Sequence, residues 1–546
     1  MPSPYGIQQH HLRKDPRFED PFNAIRDLVL EEAWQRNCEC VCELAEPRPP
    51  VLRRLSTLEG QTRANTVLAV SQITRTDVEL MLTEADESLG SLTELIDLYQ
   101  LRQNVHDLFY RAPQDSGMSD IDLPPTDVPL DQVSLLFATL AHHNFLNPNH
   151  QVYSAFLELS AMMVDLYTGK STFDLVLALF IQHACYLRTG TANRSRALVA
   201  QAVQNAHDLG MHHHNEDSRP LQLYLFIAFA DQYCALTHNT APCIKSVQWP
   251  LNLFDPLLET HPHLRRLVQL VSLNGQILDK LHHQPFTYEN VVELESMMAE
   301  DSASIGRPGP TQWPRPEKPG SLYETLVKIH MLWSRLTLRA PLLRSGTHWI
   351  SSLAICHGAA QMLLSIYFEI CEPAIRTITT SAINTYDDSL KRQIQESVKL
   401  PPTWRQVRRI TTSTMVILYA FWKGETSHNE ACRFCATALL LLEFQRTRYG
   451  PSIEEATSCI RELAETSGLS LQPFMKQLVP EASDEYLKAV FDSTFTRGKA
   501  QQMELSPTAL DGLSLPGPSY ASPWRGGAFD DFSDTFPAYD FWSFPP

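Results

Sequence analysis

The sequence predicts an all-α fold: a large multi-helix domain of antiparallel helices, followed by a flexible C-terminal tail. Three observations carry that expectation. Apolar residues recur at spacings of three and four in segment after segment. Sustained period-two alternation, the mark of half-buried strands, is nearly absent. A chain of 546 residues with 43% hydrophobic content is long enough to bury one large core or two medium ones.

Residues 1–50 form a partly helical segment, with helical character over 21–44 ended by Pro47, Pro49 and Pro50. Residues 51–115 form a helical segment of two or three amphipathic helices. Leu89, Leu92, Ile96 and Tyr99 make one stripe there, with Ser88 or Ser91 as a cap. Residues 112–129 are rich in Pro, Asp and Ser and read as an exposed connection. Helical patterning resumes at 131–164.

Residues 171–244 are the clearest stretch. A helix over 172–187 is apolar nearly all round, so it should be buried. In the next helix Leu198, Ala202, Ala206 and Leu209 line one face and Val199 and Val203 widen it; Arg196, Gln204 and Asp208 fall elsewhere. Thr191 and Asn193 are N-cap candidates, and Gly210 stands where a left-handed residue closes a helix. The third helix opens at Arg219-Pro220, where proline is tolerated.

Beyond it, 249–262 reads as a loop and 264–300 as helical. Residues 303–320 hold too many prolines for a regular element. Further helices are expected over 322–343, 349–372, 405–422, 431–444 and 453–466. The main domain is therefore placed at 130–475, interrupted by the loop 303–320, and a C-terminal segment at 476–546.

The formal charge of −17 argues against a nucleic-acid-binding body, because an acidic surface repels phosphate. DNA contact, if made, should come from a local patch or a partner chain. The first residues are polar and charged and the 11 cysteines are scattered, so reduced thiols in an intracellular compartment are expected. No apolar run reaches membrane-spanning length without charges or polar breaks, and no membrane association is expected.

Motifs that carry chemistry are partial. Cys38, Cys40 and Cys42 could begin a zinc site but lack a nearby fourth ligand, and read as reduced thiols. Cys432 and Cys435 have redox spacing inside an apolar helix, where packed core thiols are expected. His212, His213 and His214 are consecutive, so their side chains diverge; His142-His143 and His282-His283 share that weakness. Asp530, Asp531 and Asp534 match the magnesium motif of all-α terpene synthases, but no second motif faces them. Arg53-Arg54 and the trio Arg405, Arg408 and Arg409 could touch phosphate. At spacings of three and four the trio is read as a solvated helix face. No catalytic residue, cofactor or metal is assigned.

The tail over 524–546 differs in kind. Between Trp524 and Phe544 stand eight aromatic residues and four aspartates, with Arg525 the only base. Trp524, Phe529, Phe532, Phe536, Phe541 and Trp542 are read as hydrophobic anchors for a partner's groove. Asp530, Asp531, Asp534 and Asp540 keep them solvated. That acidic-aromatic composition is typical of transcriptional activation segments.

Residues 197–212, ALVAQAVQNAHDLGMH, resemble a hallmark of the fungal-specific transcription factor domain, the middle regulatory region of zinc binuclear-cluster transcription factors. Ala206, Leu209, Gly210, Met211 and His212 match its Ala-x-x-Leu-Gly-Leu-His ending, with Met for the second Leu. Asn239 to Ile244 stand where the family carries a Gly-Arg-Pro loop, and only Pro242 matches. Residues 438–463 look like the family's closing helices. The six-cysteine module of the family has no counterpart in residues 1–70.

The resemblance implies an all-α regulatory scaffold in the nucleus rather than an enzyme, hypothetically serving a fungal secondary-metabolite gene cluster. Its implied partners are the transcription machinery or a co-activator through the tail, and a second transcription factor through homo- or heterodimerisation. An alternative is a co-regulator that does not bind DNA and pairs with a zinc-cluster factor; a helical small-molecule-binding protein or enzyme is the third.

Overall fold

The computed structural model describes residues 21–35, 73–89, 92–108, 128–144, 150–188, 192–213, 217–238, 241–245, 252–283, 287–303, 322–344, 346–380, 400 and 402–491. Among them the chain is all-α, with helices joined by turns and short 3-10 segments and no β-strand.

The chain opens with α1 (Pro21–Gln35), followed by α2 (Arg75–Leu89), α3 (Leu98–Leu108), α4 (Leu130–Asn144) and α5 (His150–Leu166). The stripe expected over 89–99 is not a helix. Leu92 and Ile96 are buried as expected, but the chain turns between α2 and α3, and Tyr99 is 78% exposed. Asp97 decides the break: its carboxylate accepts from Gln100 N at 2.9 Å and so caps a new helix.

At the centre lie α6 (Phe173–Arg188), α7 (Ala192–Asp208) and α8 (Ser218–His238). Every residue of α6 from Leu175 onward is buried, as expected of a helix apolar all round. Thr172 caps it, its Oγ1 accepting from Leu175 N at 3.1 Å. Helices α4, α5 and α6 pack together around one buried polar knot. Gln182 donates through Nε2 to Ser160 Oγ at 2.8 Å, and Ser160 donates to Ser134 O at 2.7 Å. In an apolar interior such a network fixes register, because a slip would break these buried hydrogen bonds. Helix α8 opens with Pro220 in its first turn and is buried over 221–235.

The stretch 249–262 is not simply a loop. It contains the short helix α9 (Asp255–Thr260), with Pro256 in its first turn, where a missing N–H costs nothing. Then follow α10 (Arg265–His283), α11 (Tyr288–Ala303), α12 (Leu322–Arg339) and α13 (Trp349–Thr380). The expected end of α13 at 372 is too early. Pro373 lacks the N–H for the residue four back, yet the helix continues because Ala374, Ile375 and Ile378 are buried on the core side. This helix is also long and apolar enough to cross a membrane, with 50% of its most apolar window buried. It packs on α12, α14 (Trp404–Trp422) and α15 (His428–Tyr449).

Helices α14 and α15 both open with capping boxes, Thr403 with Gln406 and Ser427 with Glu430. α1 lies against α14 and is tied to it by the Lys423–Glu32 ion pair. The chain closes with α16 (Glu454–Thr466), α17 (Gln472–Leu478) and α18 (Asp484–Phe491). The boundary placed at 475 falls inside α17, where Met475 is buried. The loop 303–320 lies almost wholly outside the described residues: only Ala303, the last residue of α11, is described.

Candidate functional site

The corner where α7 turns into α8 is the part of the chain that the sequence singled out. Ala202, Ala206, Val199 and Val203 are buried, while Arg196, Gln204 and Asp208 face solvent. Leu209 is a correction: it is 39% exposed and lies just past the helix, and Met211 is buried in its place. The reason is the way the helix ends. Gly210 sits at φ 66°. Met211 N donates to Ala206 O at 3.0 Å and Gly210 N to His207 O at 2.9 Å. These two bonds are a Schellman turn, which satisfies the last carbonyls and swings the residue after glycine back onto the core.

The rings at this corner are close. His207 Nε2 lies 3.1 Å from the Tyr224 hydroxyl. The His212 and His213 rings are centred 4.0 Å apart, and His207 lies 4.9 Å from His212. Burial pushes His212 below its ordinary value, and His213 and His207 push the same way. His214 is outside the described residues. Among the described residues no group of three or more His, Cys, Asp or Glu converges to hold a metal.

After α8 the chain returns through Cys243 and Ile244, and one buried carboxylate holds it there. Asp231 accepts from Cys243 N at 3.0 Å and from Ile244 N at 2.7 Å. Burial raises the Asp231 carboxyl from 3.8 to about 6, against the pull of the Ile244 and Cys243 donors and of Arg196. The native state therefore holds this proton more tightly than the unfolded chain. The associated stability is fully present below about pH 4 and is lost as pH rises through about 6. Asp231→Asn cannot titrate, so its urea stability should change less between pH 4 and 6.5 than the parent's. Equal pH slopes for the two proteins would refute this.

The arginine trio is the largest departure from expectation. Arg405, Arg408 and Arg409 are 9%, 5% and 1% exposed, so they are neither a solvated face nor a phosphate-contacting one. Each guanidinium is paired with an aromatic ring. Arg405 lies 4.7 Å from the Tyr233 ring, Arg408 5.0 Å from Phe22 and Arg409 5.5 Å from Trp333. Arg409 also donates to the hydroxyls of Tyr367 at 3.0 Å and Tyr233 at 3.2 Å. A planar, weakly hydrated cation tolerates burial when stacked in this way. Beside it, burial and then Arg409 and Arg405 hold His330 well below its ordinary value.

Other candidates resolve as packing. Cys432 and Cys435 are free and fully buried. Burial raises both thiols, so neither is a ready nucleophile. His142 is buried and held far below its usual value by burial, then by Arg188 and His143; His143 pairs with Glu84 at 3.4 Å. The sequence did not single out His183 and Ser195, whose Nδ1 and Oγ lie 2.8 Å apart. Both are fully buried, and burial lowers His183 to about 3. This pair ties α6 to α7 and is out of reach of a substrate.

Cys38, Cys40, Cys42, Arg53 and Arg54 lie outside the described residues, as do the side chains of His282 and His283. So does the whole tail, with Trp524, Phe529, Asp530, Asp531, Phe532, Asp534, Phe536, Asp540, Phe541 and Trp542. Comparison with known proteins leaves the corner to be judged on its own chemistry: no family model matches this chain, and no curated protein or solved structure matches it.

Proposed function

We propose that this chain is a nuclear transcriptional regulator, with a helical regulatory body and an activation tail over 524–546, serving a fungal biosynthetic gene cluster. The observation that carries the proposal is the helix ending Ala206–His212. It resembles the hallmark of fungal-specific transcription factor domains, and it folds as a closed turn against the core of an all-α body. The tail composition supports the same reading. Aspartates discourage collapse and leave the aromatics available to a hydrophobic groove.

A reporter fusion tests it. Residues 501–546 joined to a foreign DNA-binding domain should activate transcription. Replacing Trp524, Phe529, Phe532, Phe536, Phe541 and Trp542 with alanine should reduce the signal by about tenfold or more, since buried aromatic anchors contribute on the order of 1 kcal/mol or more each. An inactive fusion, or one indifferent to those replacements, removes the tail from the mechanism.

A further inference from the structure

The starts of α3, α6 and α8 and the flank of α4 leave a cleft between them. It encloses about 330 Å³, within the range of small-molecule sites, roughly 300–1,000 Å³. Its lining is of three kinds. Leu101, Leu135, Phe173 and Pro220 are apolar; Asp97, Asp174 and Asp217 are acidic; Arg219 and Asn104 are donors.

Helix capping accounts for two of the acids. Asp97 accepts from Gln100 N and Asp217 from Arg219 N, each at 2.9 Å. It does not account for Asp174. Burial raises that carboxyl, Asp131 and Asp97 raise it further, and Arg219 is the opposing charge. Nor does capping account for Asn104, which is 2% exposed. Its Oδ1 accepts from Gln100 Nε2 at 3.0 Å, but its Nδ2 has no hydrogen-bond partner among the described residues. Leaving a buried amide N–H unmade costs free energy, so an unpartnered one beside a cleft is a candidate contact for a bound group. Arg219 stands across the mouth, donating to Leu95 O at 2.8 Å with its guanidinium 5.2 Å from the Phe173 ring.

We propose that this cleft binds a free α-amino acid with an apolar side chain. Its ammonium meets Asp174, its carboxylate accepts from Asn104 Nδ2 and Arg219, and its side chain lies on Leu101, Leu135 and Phe173. A bare metal ion would leave the Asn104 donor unmet and would face Arg219. A purely anionic ligand would face Asp174. A zwitterion satisfies both. Such binding is independent of the transcriptional role proposed above.

Calorimetric titration of the full chain with L-leucine is the test, with two analogues that divide the contacts. L-leucinamide lacks the carboxylate and 4-methylpentanoate lacks the ammonium. Leucine should bind and each analogue should bind about tenfold or more weaker, the loss typical of a charge-assisted hydrogen bond. Asp174→Asn, nearly isosteric, should weaken leucine about tenfold while tightening 4-methylpentanoate, whose carboxylate then no longer faces a like charge. Asn104→Leu should weaken leucine and 4-methylpentanoate alike, with circular dichroism confirming that it folds. No binding of leucine at millimolar concentration, leucinamide binding as tightly as leucine, or an unaltered affinity in Asp174→Asn would each overturn the assignment.

Discussion

Glu295→Ala is expected to destabilise the body by about 3–5 kcal/mol, the cost of leaving a buried charge without its partner. Arg339, at the end of α12, is 2% exposed, and Glu295 on α11 is 7% exposed. Arg339 Nη2 donates to Glu295 Oε2, and Arg335 Nε approaches Glu295 Oε1 at 3.9 Å. The Tyr288 ring covers the Arg339 guanidinium at 5.0 Å, so water cannot take over for the missing carboxylate. The pair joins α11 to α12, so the loss falls on the contact between those two helices. A double replacement, Glu295→Leu with Arg339→Leu, should recover most of the loss, because apolar volume replaces both desolvated ions. Urea unfolding followed by circular dichroism measures both. An alanine variant with an unchanged midpoint would show that the ion pair is not what holds α11 to α12.

Arg409→Ala should cost about 3 kcal/mol. Two hydrogen bonds of about 1 kcal/mol each are lost, together with the packing of a long stem inside the core. The side chain reaches Tyr233 on α8, Tyr367 on α13 and Trp333 on α12, so one truncation loosens four helices at once. Arg409→Met separates the two contributions: it keeps the volume and removes the charge. It should recover more than half the loss, since apolar replacement of a buried ion is commonly neutral or better. If both variants unfold within about 0.5 kcal/mol of the parent, the range of ordinary surface changes, the arginine cluster has no structural role. The comparison also bears on function. A cluster that only welds helices tolerates methionine, whereas one that must stay cationic for a ligand would lose that ligand's affinity in Arg409→Met without losing stability.

How much was legible beforehand depended on whether the deciding interaction was local. The end of α7 was readable because Gly210 relieves a steric conflict within the span Ala206–Met211, and those bonds are five residues long or shorter. The burial of α6 was readable because a helix apolar on all sides has no solvent face to offer. The stripe over 89–99 misled because its period was right while the Asp97 cap, a single side-chain bond, cut it in two. The arginine trio misled for the opposite reason. Spacings of three and four set Arg405, Arg408 and Arg409 on one face of α14, but periodicity does not say what that face meets.

By itself, then, the sequence determined the all-helical class, most helix positions and the closed turn at Gly210, because each follows from backbone sterics and apolar period within a few residues. Only the tertiary structure decided that a cationic face is a core face and that Asp231 clamps the chain after α8. It also decided that Asn104, buried and with an unpartnered Nδ2, lines a cleft beside Asp174. Arg409 and Tyr233 are separated by 176 positions, and Arg339 and Glu295 by 44. Nothing in either neighbourhood signals its partner, because the energy that pairs them arises only once the intervening helices have packed and expelled the water between them.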